Sequence, residues 1–257
     1  MKPKVLVLRA AGSNCDMETQ FAFQYAGAEA ELIHINRLLR GEVHLATYQI
    51  LAIPGGFTYG DDISAGKILA NELQFKLAGQ LTAFHEAGGL ILGICNGFQV
   101  LVKAGLLPEV DLGGPQEVTL VHNDSGKFED RWVHLQVPDS RSLFTAGLSG
   151  PIYLPVAHAE GKFAALSPAV LDRLEANRQI VLRYTAADGG PAAYPENPNG
   201  SDRDIAGICD STGRILGLMP HPERHIDPTH HPRWTRNGLA REGDGVALFR
   251  NAVAYFS

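Results

Sequence analysis

A cysteine stands between two glycines in Gly93-Ile94-Cys95-Asn96-Gly97, after the apolar run GLILGI (89–94) and before residues with helical spacing. This is the cysteine form of the G-x-S-x-G nucleophile elbow, in which a sharp strand-to-helix turn lifts a reactive side chain above a sheet. The flanking glycines let the backbone fold tightly. The helix N-terminus that follows offers free N–H groups and a dipole that favours a thiolate. In that turn the N–H of Asn96 is placed to donate to an oxyanion. The competing reading is a buried strand cysteine with no chemistry, and a base with a group to orient it is what separates the two.

Ten histidines compete for the role of base. His221 stands apart because Met219-Pro220-His221-Pro222-Glu223-Arg224 directly follows the apolar strand ILGLM. That position is the carboxyl edge of a strand, where open α/β sheets gather their ligands. Prolines on both sides restrict the backbone and help fix the ring. Glu223, two residues on, lies on the same side of an extended segment and can accept from the second imidazole N–H. His221, His225, His230 and His231 also invite a metal reading. HPERH is not the zinc-helix motif H-E-x-x-H, Pro222 prevents a regular helix and no cysteine lies nearby, so no metal is assigned.

A second glycine-rich segment, Pro54-Gly55-Gly56-Phe57-Thr58-Tyr59-Gly60-Asp61-Asp62, also ends a strand. A phosphate loop is the obvious rival and fails twice. Five residues separate Gly60 from Gly66-Lys67 where that loop has four, and Ile68 replaces the Ser/Thr that would hold magnesium. Beside a nucleophile the Gly-Gly turn has another use, with the N–H of Gly56 as second oxyanion donor. An ordinary strand-to-helix turn is the alternative.

With these residues in view, the sequence resembles the triad-type (class I) glutamine amidotransferases. The resemblance is carried by ICNGFQ (94–99), PGGFTYGDD (54–62) and MPHPER (219–224). Within that family the likeness narrows to the glutaminase subunits of phosphoribosylformylglycinamidine synthase, through GSNCD (12–16), AHAEG (157–161) and NPNGS (197–201). The matches run from about residue 4 to 225. The resemblance implies Cys95 as nucleophile, His221 as base, Glu223 as its orienter, Gly56 and Asn96 as oxyanion donors and Gln99 as a substrate-binding residue. It implies L-glutamine as substrate and ammonia delivered to a synthetase subunit, which uses ATP to convert formylglycinamide ribonucleotide to the amidine in purine biosynthesis. A small bridging subunit is a further expected partner. No cofactor is expected in this subunit, Mg-ATP belonging to the synthetase. The family's usual AHGEGRY reads AHAEGKF here, so contacts that depend on the replaced glycine at Ala159 are in question, as are those of Lys162 and Phe163. A stand-alone γ-glutamyl hydrolase and a non-catalytic scaffold of the same fold are the alternatives.

The elements that must position these residues alternate in the first half. Strands are expected at Lys4–Leu8, Glu31–Ile35, Tyr48–Pro54 and Gly89–Ile94. Helical spacing covers Asp16–Ala26, Glu72–Glu86 and Gly97–Lys103. This order predicts an α/β fold with an open, mostly parallel sheet flanked by helices, flavodoxin-like and single-domain. The second half is richer in short strands: Gln116–Val121, Arg131–Val137, Ile152–Val156, Gln179–Tyr184, Ile205–Cys209 and Arg214–Met219. Tyr194–Arg203 reads as a turn-rich connection. The N-x-S/T patterns at Asn123 and Asn199 carry no meaning without secretion. Residues 1–227 are read as the amidotransferase domain, and 228–257 as an extension, running past the end of many family members, whose terminal helix (Val246–Phe256) packs on the same domain.

Composition bounds the rest. The 257 residues are 45% hydrophobic and 19% charged, enough for a sizeable core and against disorder. A formal charge of −6 lacks the basic footprint of a nucleic-acid binder. No apolar run is long enough to span a membrane, and VLVL is too short for a signal peptide. Three cysteines (Cys15, Cys95, Cys209) make no disulfide framework, so a cytoplasmic location is expected.

Overall fold

The structure, a computed structural model, describes residues 2–257. The chain begins β1 (Lys4–Arg9), α1 (Asp16–Tyr25), β2 (Glu29–His34), α2 (Ile35–Leu39), β3 (Ile50–Ile53), α3 (Lys67–Lys76), α4 (Ala78–Glu86), β4 (Leu90–Ile94) and α5 (Asn96–Ala104). It continues with β5 (Val118–Val121), β6 (Glu129–Gln136), β7 (Ile152–His158), β8 (Lys162–Ala165), α6 (Pro168–Ala176), β9 (Ile180–Thr185), β10 (Ile205–Cys209), β11 (Ile215–Leu218), α7 (Trp234–Asn237) and α8 (Val246–Ala254).

Nine strands form one sheet in the order β2-β1-β3-β4-β11-β10-β9-β6-β7. The first five are parallel. Their near-continuous apolar runs, buried on both faces in β3, β4 and β11, are what a sheet covered by helices requires. The order 2-1-3-4 followed by β11 is the flavodoxin-type winding, in which ligands gather beyond the strands' carboxyl ends. From β11 onward the pairings are antiparallel. Such pairings need no crossover helix, which is why the second half of the chain is strand-rich. β5 and β8 form a separate two-stranded ribbon.

Differences from the sequence expectation have local causes. The helix expected over 72–86 starts earlier and is two helices, because Leu77 leaves helical geometry with its side chain buried. Each helix thereby buries its own apolar face, Leu69 and Leu73 from one, Leu81 and Phe84 from the other, with α3 packed against α5. α6 and the short β8 were not foreseen. α6 carries a legible start, Pro168 at its first turn behind Ser167, with Val170, Leu171 and Leu174 buried at helical spacing.

The terminal helix α8 buries Val246, Leu248, Phe249, Ala252 and Val253. Phe249 meets Phe23 of α1 edge-on at 4.9 Å between ring centres. Both rings are wholly buried, and one apolar core runs from β1 through to α8. No helix among the described residues is long and apolar enough to cross a membrane.

Candidate active site

Cys95 sits between β4 and α5 with φ 51° and ψ −105°. A non-glycine residue there carries strain of about 1–3 kcal/mol, so the surroundings must hold it. They do so from three sides. The Cys95 N–H donates to the Leu218 carbonyl on β11 at 2.8 Å, and the N–H groups of Phe98 and Gln99 return to the Cys95 carbonyl. The flanking glycines are sterically required: a Cβ on Gly97 would lie 1.9 Å from the Ile53 carbonyl oxygen, and one on Gly93 would strike Leu101 and Gly97. Cys95 is only 6% exposed, at a cleft of about 60 Å³ lined in part by Gly56, Asp61, Gln99, His158 and Glu160.

His221 follows β11, the strand next to β4, and its N–H donates to the Pro155 carbonyl at 2.8 Å. The segment is a single 3-10 turn over Pro222–Arg224 rather than extended. The turn still brings Glu223 back onto the ring, where His221 Nδ1 donates to Glu223 Oε1 at 2.6 Å with both side chains buried. His221 Nε2 is buried without a hydrogen-bond partner, and the Cys95 thiol is aimed at the Ala157 carbonyl, 3.6 Å away. Burial alone would lower the His221 pKa. The Glu223 carboxylate, together with the Cys95 and Cys15 sulfurs, outweighs that and raises it well above the ordinary histidine value. The ring is therefore built to hold a proton firmly.

The two expected oxyanion donors come from different loops that are tied together. Gly56, at φ 148°, bridges to Ser13 of the loop after β1. Phe57 N–H donates to the Gly12 carbonyl at 2.9 Å and Tyr59 N–H to the Ala11 carbonyl at 2.7 Å. Asn96 opens α5, where helix N–H groups have no intrahelical acceptor. Its side chain accepts from Thr58 N–H (3.2 Å) and Thr58 Oγ1 (2.7 Å), fastening the glycine loop to the elbow. Asn96 Nδ2 donates to Gln99 Oε1 at 2.9 Å, and Gln99 Nε2 to the Glu160 carbonyl at 2.6 Å. Gln99 thus lines the cleft while spending its amide on framework bonds, with one N–H left over.

Several residues of the site were not assigned from sequence. His158, at the end of β7, donates from Nδ1 to Asn123 Oδ1 at 3.1 Å, and its Nε2 is buried without a partner. Burial, then the nearby His221 charge, pushes its pKa down to about 3, so it is neutral. Asn123 also accepts from Gly161 N–H and donates to the carbonyls of His158 and Lys127. Asn199 donates to the Gly161 carbonyl at 2.9 Å, and Ser201 Oγ accepts from Phe163 N–H at 2.9 Å. The NPNGS loop therefore braces the AHAEG segment against the cleft. Ala159 is not among the residues at positive φ, so alanine fits there, and its carbonyl accepts from Asn123 N–H. Lys162 pairs with Asp124 at 2.6 Å, and Phe163 stacks, wholly buried, against Phe98. The two asparagines that read as idle N-x-S/T patterns are thus framework residues.

The four downstream histidines do not gather their ring nitrogens at one point. His221 turns to Glu223, His225 Nδ1 donates to the Tyr153 carbonyl at 2.7 Å, His230 caps the turn begun by Asp227, and His231 accepts from Arg233 N–H at 3.0 Å with its ring centre 5.9 Å from that of His225. Among the described residues, the one group with three donor atoms mutually within 4.8 Å is Cys15, His221 and Glu223, two of which are already bonded to each other.

Known proteins resemble the chain along nearly its whole length. The family model for the CobB/CobQ-like glutamine amidotransferase domain matches residues 2–256, the terminal helix included. The chain is 52% identical over 256 residues to phosphoribosylformylglycinamidine synthase subunit PurQ of Dehalococcoides mccartyi, covering 99% of this chain and 98% of the relative. It is 45% identical over 269 residues to the subunit of the same name from Methanococcus maripaludis, again covering 99% and 98%. Among solved structures, a chain of PurLQS from Thermotoga maritima superposes with a TM-score of 0.77 at 31% identity over the whole of both chains. A glutamine amidotransferase from the same organism shares the fold at TM-score 0.51 and 16% identity, covering 92% of this chain and 82% of that one.

Proposed function

The chain belongs to the CobB/CobQ-like glutamine amidotransferase domain family, and from that premise we propose that it is the glutaminase subunit of phosphoribosylformylglycinamidine synthase. It hydrolyses L-glutamine and delivers the ammonia to a synthetase subunit that makes formylglycinamidine ribonucleotide in purine biosynthesis. Full-length identity to PurQ subunits and likeness to a chain of a PurLQS assembly support this assignment.

The observation that carries the chemistry is that Cys95 on its strained elbow after β4 and the His221–Glu223 pair in the turn after β11 lie at the ends of neighbouring strands. The Cys95 sulfur attacks the side-chain carbonyl carbon of glutamine while His221 takes the thiol proton. Negative charge on the carbonyl oxygen falls to the N–H groups of Gly56 and Asn96. Collapse of this intermediate breaks the C–N bond, and His221 hands its proton to the departing ammonia. A water molecule, deprotonated by His221, then cleaves the γ-glutamyl thioester to glutamate and frees the thiol. Glu223 holds the ring in the tautomer with Nδ1 protonated and offsets its positive charge. The raised His221 pKa suits a group that must keep the thiol proton until the amine leaves. In this reading ATP and magnesium belong to the synthetase, and the failed phosphate-loop spacing of Gly60–Lys67 is consistent with that. A small bridging subunit completes the assembly, and the location is cytoplasmic.

The test is glutamate release from glutamine by the purified chain mixed with its synthetase, ATP, magnesium and formylglycinamide ribonucleotide. It is repeated with Cys95→Ala and with the synthetase omitted. We expect activity that needs both Cys95 and the synthetase. Cys95-dependent turnover indifferent to the synthetase marks a stand-alone hydrolase instead. Equal silence of wild type and Cys95→Ala beside an ammonia-competent synthetase rejects the catalytic assignment.

A further inference from the structure

Two motifs singled out in the sequence take no part in the chemistry above: GSNCD at the start of α1, and the arginine that ends MPHPER. The structure joins them behind the triad. Arg224 Nη2 donates to Cys15 Sγ at 3.1 Å and Arg224 Nε to Glu18 Oε2 at 3.1 Å. Cys15 is 1% exposed, and its thiol donates to Asn14 Oδ1 at 3.1 Å. Burial raises the Cys15 pKa, so it stays a thiol and offers Arg224 a neutral, soft acceptor.

The same sulfur lies against the catalytic ring. Donor atoms of Cys15, His221 and Glu223 are all within 4.8 Å of one another. Gly55 leaves the space they occupy: a Cβ there would lie 2.8 Å from His221 Cε1 and 3.1 Å from Cys15 Sγ. Cys15 N–H also donates to the Gly55 carbonyl at 3.2 Å, so its sulfur is placed by the loop that carries Gly56. Arg224 is the residue after Glu223, on the one turn that sets the Glu223 carboxylate against His221.

We infer that Arg224 is a positioning residue for this reaction: anchored on Glu18 and on the Cys15 sulfur, it fixes the turn that holds the His221–Glu223 pair in line with Cys95. A stabilising role alone is the weaker explanation. Arg224 and Glu18 have side chains 33% and 43% exposed, and an ion pair that open to water contributes about 0–1 kcal/mol. A displacement of the base by a fraction of an ångström costs far more in rate than such a pair contributes to stability.

The inference rests on the triad reading and is tested with the synthetase complex assembled. Steady-state glutamate release gives kcat and KM for wild type, Arg224→Lys, Glu18→Ala, Glu18→Gln and the double variant Glu18→Ala/Arg224→Lys, and urea midpoints are recorded for each. We expect Arg224→Lys, which keeps the charge but loses the two-pronged grip, to lower kcat about ten-fold or more with KM for glutamine nearly unchanged. Glu18→Ala gives a smaller fall in kcat, Glu18→Gln restores it by keeping an acceptor, and the double variant is no worse than Arg224→Lys alone. Wild-type kcat in both Arg224→Lys and Glu18→Ala overturns the inference, as does a loss of rate tracked by an equal loss of stability. If Arg224→Lys fails to assemble, Glu18→Ala and its glutamine rescue decide the matter. A wild type without Cys95-dependent glutamate release overturns the triad reading itself, which is a separate outcome.

Discussion

His158 and His221 lie close enough to feel each other's charge, yet their surroundings drive them in opposite directions. His158 is buried beside a neutral amide and falls to about 3, while His221 gains a carboxylate and rises. For His158 the unfolded chain, near 6.5, takes up protons first as pH falls, so stability is lost from about 6.5 down toward 3. For His221 the contribution is fully present below about 6.5 and is lost as pH rises through its higher folded value. The two windows lie on opposite sides of the unfolded value near 6.5 and are separable. At about 1.4 kcal/mol per pH unit, His158 accounts for roughly 2 kcal/mol of lost stability between pH 7 and pH 5. Urea titrations at both pH values should show His158→Gln losing about 2 kcal/mol less than wild type over that interval, and parallel losses would falsify the assignment. Cys95, Gly56, His221 and Glu223 were legible because each sits in a short motif at a strand end. His158, Asn123 and Cys15 were not, since their partners are distant in sequence and meet only when the loops close over the cleft.

At the level of elements, the elbow depends on how closely α5 approaches the ends of β3 and β4. A side chain at Gly97 has no room against the Ile53 carbonyl, which is backbone and cannot swing away. Gly97→Ala should therefore push α5 off the sheet, at a cost of about 1–3 kcal/mol or more. Its urea midpoint should fall, and labelling of Cys95 by a glutamine-analogue electrophile should slow. Rapid labelling at the wild-type midpoint would mean that α5 has slack not visible in the structure. The central strands were readable because β3, β4 and β11 are unbroken apolar runs, and the helices between them because they return at helical spacing. The break at Leu77 has no proline to announce it, and Gly79 falls just after it, inside the first turn of α4; Leu77 itself leaves helical geometry while staying buried. The two-stranded ribbon of β5 and β8 was half seen, because Lys162–Ala165 is too short to show a period.

For the molecule as a whole, α8 is the clasp between the ends of the chain. Phe249 is wholly buried against Phe23 of α1, the helix that Cys15 precedes and whose first turn carries Glu18. Phe249→Ala should cost about 3–5 kcal/mol. For a domain of this size that is a fall in Tm of roughly 6–20 °C, measurable by calorimetry; a change of a degree or two would show that α8 is peripheral to the core. The sheet's winding has a consequence for the order in which the site is built. Cys95 follows β4, whereas His221 follows β11, the last strand to be synthesised although it lies beside β4. A nascent chain on the ribosome thus displays Cys95 long before it owns His221, and proteolytic stubs or stalled products lacking β11 release no ammonia. Turnover is in that sense a certificate of completed assembly: in a refolding reaction, the first glutamate formed dates the moment when β11 has docked.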